Sequence, residues 1–85
     1  MTSWKNRLEK IRGRPGGTSS RELISVLGSL DCSIRKGKGS HLIVRHTRMP
    51  RFFLTVPNQN PLKEIYVSRA LELIDELLME LGLED

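Results

Sequence analysis

The stretch DCSIRKGKGSHLIVRHTRMPRFFLTVP, Asp31 to Pro57, decides the fold. In its first part Cys32 and Ile34 alternate with Ser33 and Arg35, the period of two that marks a half-buried strand. Gly37-Lys38-Gly39 then reads as a turn with glycines where positive φ is needed. SHLIVRH is a second strand, TRMP a second turn, and RFFLTV a third strand. Pro57 halts the third, because it lacks the amide proton a ladder requires. Strands joined by such short turns form an antiparallel meander.

On either side the period changes to that of a helix. Before the strands, TSSRELISVLGSL pairs Ser19 with Glu22 in a capping box, followed by Leu23, Leu27 and Leu30 on one apolar face. After them, Asn60 is expected as an N-cap with Pro61 at the first helical position. Val67, Leu71, Ile74, Leu78 and Leu81 make the stripe of that helix, widened by Ala70 and Leu77. The expected class is α+β: a two-layer sandwich of helix, three antiparallel strands and helix, with both helices on one face of the sheet. Residues 1–17 read as a basic N-terminal extension, in which Trp4, Leu8 and Ile11 at helical spacing make either a docked extra helix or a frayed tail. Residues 18–85 read as a single domain, since 85 residues hold too little apolar material for a second core.

The other face of the sheet is left to solvent or a partner, and strand alternation says what it carries. With Leu42 and Val44 inward, His41, Ile43 and Arg45 point away; Ser33 and Arg35 join them from the first strand, and Arg51, Phe53 and Thr55 from the third. Lys36 and Lys38 are expected to flank this face in the turn. Arg and Lys hold phosphates and an aromatic ring stacks a base, so the expected ligand is nucleic acid. The charge distribution agrees: residues 1–61 hold 12 Lys/Arg against 3 Asp/Glu, net +9, and residues 62–85 hold 2 against 7, net −5. A basic body of this kind gains affinity for a polyanion by releasing its counterions.

Several functions are excluded by residue type. Cys32 is the only cysteine, so neither an intrachain disulfide nor a thiolate zinc cage can form, and no cofactor or metal spacing is present. The paired glycines match neither a Walker loop nor a dinucleotide fingerprint. A start charged by its fifth residue and the lack of any long apolar run predict a cytoplasmic protein without a membrane partner.

SRELISVLGSLDCSIRKGKGSHLIVRH resembles the HicA-type toxins, the YcfA-like messenger-RNA interferases of the HicA/HicB toxin-antitoxin systems. The resemblance is carried by Gly39-Ser40-His41, the leucine spacing of the first helix, and Val56-Pro57 followed by Lys63-Glu64-Ile65, and covers roughly residues 18–75. It implies a small fold like that of double-stranded-RNA-binding domains, a catalytic role for His41, RNA as substrate, and a HicB-like antitoxin as partner. Without a metal, RNA cleavage needs a base near the 2′-hydroxyl, and histidine titrates close to neutrality. His46 lies five residues from His41, an odd spacing that puts the two on opposite faces about 16 Å apart, at roughly 3.3 Å per residue. His41 would therefore work with Lys36, Lys38, Ser40 or water, and slowly; Gly39 and its neighbours would let the turn approach a phosphate. The residues themselves leave three readings open: a metal-independent endoribonuclease, a non-catalytic nucleic-acid-binding module, and a protein-interaction domain docking an acidic partner.

Overall fold

A computed structural model describes residues 3–83; Met1, Thr2, Glu84 and Asp85, part of the two charged ends, lie outside the described residues. Along the chain come α1 (Trp4–Gly13), a short 3-10 turn (Pro15–Gly17), α2 (Ser20–Ser29), β1 (Ser33–Lys36), β2 (His41–Arg45), β3 (Phe53–Pro57) and α3 (Glu64–Leu81). The strands form one antiparallel sheet in the order β1-β2-β3, as the alternation and short turns require. The architecture is the expected α+β sandwich with a helix added at its start.

Local sequence explains both ends of α2. The Ser19 hydroxyl accepts the Glu22 amide at 3.1 Å, and the Glu22 carboxylate accepts the Ser19 amide at 3.2 Å, satisfying two donors that a helix start otherwise orphans. At the other end Asp31 takes a left-handed φ of 66°, the Cys32 amide donates to the Leu27 carbonyl at 3.0 Å, and the Asp31 amide donates to Gly28 at 3.1 Å. This is a Schellman closure with Asp standing where glycine is favoured.

Leu23, Val26 and Leu27 of α2, Val67, Ala70, Ile74 and Leu77 of α3, and Val44, Leu54 and Val56 of the sheet are buried in one core. Leu8 and Ile11 of α1 belong to the same core. The Arg12 guanidinium donates to Asp75 of α3 at 2.6 Å, and that of Arg7 donates to Ser25 and Ser29 of α2 at 2.7 and 2.8 Å. Of the two states read for the extension, it is the docked helix that forms.

α3 starts later than Asn60-Pro61 suggests. Lys63 is its N-cap, without a side-chain cap bond, and Glu64 its first residue. The reason is non-local: the Leu62 amide donates to the Thr18 carbonyl at 2.8 Å and the Gln59 carbonyl accepts from Ser20 at 2.9 Å. The Asn60–Pro61 peptide is cis. Residues 58–62 thus run along the start of α2 and are held there before the chain can turn into a helix.

Candidate nucleic-acid interface

Register fixes what shares the open face, because residues directly opposite in an antiparallel pair lie on the same side. Ser33, Arg45 and Phe53 form one row across the sheet, and Arg35, Ile43 and Thr55 the next. His41, opposite Pro57, begins the third, beside the β1–β2 turn. Inward residues Val44, Leu54 and Val56 are buried, whereas Arg35, His41, Arg45 and Phe53 are exposed. Half of Phe53 remains accessible although the Arg45 guanidinium stacks over its ring, 5.1 Å from the centroid.

Two glycines shape the turn at the edge of this face, for different reasons. Gly39 has φ +62°, which side chains disfavour. At Gly37 space is tight: a Cβ there would meet Ile43 Cδ1 at 3.0 Å, so the Ile43 side chain would have to give by a few tenths of an ångström. The His41 carbonyl accepts the Gly37 amide at 2.8 Å, the His41 amide donates to Lys38 at 3.2 Å, and the Ser40 carbonyl accepts from Asn58 at 2.9 Å. Backbone bonds thus pin Gly39-Ser40-His41 on both sides, while the His41 imidazole itself is exposed and makes no hydrogen bond among the described residues.

The expected site is only partly brought together. Arg35, His41, Arg45 and Phe53 share the open face, with Lys38, Gly39 and Ser40 in the adjoining turn. Lys36 does not share it. It is the last residue of β1 and opposite Leu42, so its side chain leaves on the helix side of the pleat. Arg51 is also displaced, because it precedes β3 and alternation does not govern it. Its Nε donates to Glu76 at 3.1 Å and its Nη2 lies 3.6 Å from Glu80, both on α3.

Other titratable groups have structural work. His46 is buried; Nδ1 accepts the Arg48 amide at 3.1 Å, which places the ring hydrogen on Nε2, 2.8 Å from the Leu30 carbonyl. It therefore joins the exit of β2 to the end of α2 and stands on the opposite side from His41. Burial, aided by the charge of Asp31, pushes the Cys32 thiol up to about 12, so no thiolate nucleophile is present at neutral pH. Arg12 is raised by its hydrogen bond to Asp75. Among the described residues no group of three or more His, Cys, Asp or Glu could hold a metal ion, and no helix is long and apolar enough to cross a membrane.

The charge asymmetry of the sequence becomes spatial here. Arg12, Arg51 and Arg69 are paired with acids, Asp75, Glu76, Glu80 and Glu72 of α3 among them. Arg35, Lys38 and Arg45 have no ion pair among the described residues, so their charge is available to a ligand. No family model, curated protein or solved structure matches this chain.

Proposed function

We propose that this chain is an RNA-binding domain of the HicA-like type, that it holds a single strand on the open face of its sheet, and that His41 makes it a metal-independent endoribonuclease. The observation that carries the reading is the Arg45–Phe53 stack on the same face as Arg35 and His41, one and two rows away along the sheet, a face whose cations have no carboxylate partner among the described residues. A base can stack on Phe53 or on the guanidinium plane, and the arginines take the flanking phosphates.

In the reaction, the imidazole of His41 removes the 2′-hydroxyl proton. The 2′-oxygen attacks phosphorus, the P–O5′ bond breaks, and the products are a 2′,3′-cyclic phosphate and a 5′-hydroxyl. Arg35 and Lys38, the cations nearest His41, offset the charge that develops on the phosphate oxygens, and Arg45, two rows along the sheet, holds a neighbouring phosphate of the strand. His46 cannot supply the second proton transfer, being buried on the other side. The leaving 5′-oxygen takes its proton from water or from Lys38, so turnover is slow. The test is cleavage of a long single-stranded RNA in EDTA by the wild type and by His41→Ala, with RNA binding measured on both.

A further inference from the structure

A second cationic surface lies in the helical layer, away from the open sheet face. Arg7 and Lys10, at i and i+3, share one side of α1, and Arg14, the residue that follows the helix with non-helical angles, lines the same hollow as Lys10. Arg21 faces them from the first turn of α2. Between Arg7, Lys10 and Arg21 lies a hollow of about 290 Å³, continuing past Lys10 and Glu22 into one of about 210 Å³ beside Arg14.

None of these four cations has an ion pair among the described residues, although Arg12 on the same helix has two. The lone carboxylate lining the groove, Glu22, is committed to Ser19, accepting its amide and its hydroxyl at 3.2 and 3.1 Å. Arg7 is half-buried, its two terminal nitrogens donate to neutral serine hydroxyls, and its Nε is buried with no partner. Its guanidinium is thus held in place at the groove wall by neutral partners, with no carboxylate among the described residues to offset its charge.

We infer that the α1–α2 groove is a second binding site for the phosphates of an RNA strand. From Arg7 to Arg14 the cations extend over about 10 Å at 1.5 Å per residue. One phosphate cannot span that array, so the ligand is a polymer of phosphates. Gly17 packs against the Arg14 guanidinium: Arg14 Nη2 lies 3.0 Å from where a Cβ at residue 17 would sit, so a side chain there would shift the guanidinium by a few tenths of an ångström. The inference takes its ligand class from the function proposed above, and adds to it a surface on the other layer of the fold.

The test is fluorescence anisotropy of a labelled 2′-O-methyl RNA 20-mer, which has no free 2′-hydroxyl and so is not cleaved. Four proteins are compared across a salt series: the wild type; a groove variant, Lys10→Gln, Arg14→Gln, Arg21→Gln; a sheet variant, Arg35→Gln, Lys38→Gln, Arg45→Gln; and a charge-matched control, Lys36→Gln, Arg48→Gln, Lys63→Gln. All the substituted residues are exposed, and equal melting curves verify that each variant folds. Each lost phosphate contact lowers the slope of log K against log salt by about 0.7 on a single strand. The groove variant is therefore expected to lose about 2 from the slope and about two powers of ten in affinity at 0.1 M salt, well beyond the control. Loss in the sheet variant alone overturns the groove and leaves the function proposed above standing. Loss in the groove variant alone supports the groove and removes the sheet face from that function. Equal losses in all three variants, or no binding by the wild type, overturn both.

Discussion

Replacing His46 by Ala should destabilise the domain by about 2–4 kcal/mol without touching the candidate interface. His46 is 5% exposed and bonds at both ring nitrogens. Truncation strands the Leu30 carbonyl, which caps α2 and sits in a residue 2% exposed. Leaving such a group unpaired costs roughly 1–3 kcal/mol. The Arg48 amide lies in an exposed turn where water can reach it, so its loss and the lost packing add about 1 kcal/mol. For a domain of this size, with a stability of order 5–10 kcal/mol, that is about a fifth or more of the total. At roughly 4–8 °C per kcal/mol it lowers the melting temperature by about 8–32 °C. The assay is urea unfolding followed by circular dichroism, with His46→Phe beside it to keep the ring volume while removing both hydrogen bonds. His41→Ala, an exposed change, should stay within about 0.5 kcal/mol of wild type. A His46→Ala protein as stable as wild type, at an unchanged denaturant slope, would refute the assignment of His46 as a connector between α2 and β2.

Four further outcomes follow from three single residues. Asp31→Gly should stabilise the domain by about 1 kcal/mol in the same assay, because it relieves a left-handed φ and removes an acid from a helix C-terminus; a loss of stability would contradict the closure described for α2. Cys32, with its thiol near 12, should be almost inert to iodoacetamide at pH 8, at about one thiolate in ten thousand, and react normally once unfolded. Because its folded value is raised, the folded state keeps a proton that the unfolded state loses above about pH 9, so stability should decline as pH rises from 9 towards 12. Arg51→Ala should leave RNA affinity unchanged and alter stability by less than about 1 kcal/mol, since its exposed guanidinium is engaged by Glu76 and Glu80; a large loss of RNA binding would return Arg51 to the interface.

Sequence reads well where the physics is local. Ser19 and Glu22 are three residues apart, and the box they form needs nothing from the rest of the chain. Alternation over Leu42–Arg45 and Phe53–Val56 suffices to sort the two faces, because a paired strand has a fixed pleat. Where the decision lies elsewhere in the chain, the sequence is silent. Asn60-Pro61 carries every local sign of a helix start, yet bonds between Thr18 and Leu62 and between Ser20 and Gln59, on either side of it, hold that backbone in a bend. Arg51 is one residue outside the alternating run, so the acids of α3 set its direction. Lys36 could have been placed by counting in steps of two from Ile34, had the strand been known to continue to it. His46 looks like a turn residue, and its bond to the Leu30 carbonyl, sixteen residues earlier in the chain, is a long-range contact that local sequence does not announce. In α1 the spacing of Arg7, Lys10 and Arg14 was visible, but not which cations on that helix would meet an acid.

The central claim is that His41, on the open face, cleaves RNA. It is tested most directly by incubating a long single-stranded RNA at pH 7 in EDTA with the purified wild type and, in parallel, with His41→Ala, then resolving the fragments and their ends. The account predicts slow cleavage by the wild type to fragments ending in 2′,3′-cyclic phosphate, and intact RNA that is still bound in the His41→Ala reaction. Equal cleavage by both proteins would contradict the role of His41, and intact RNA in both reactions would contradict the enzyme and leave a binding domain.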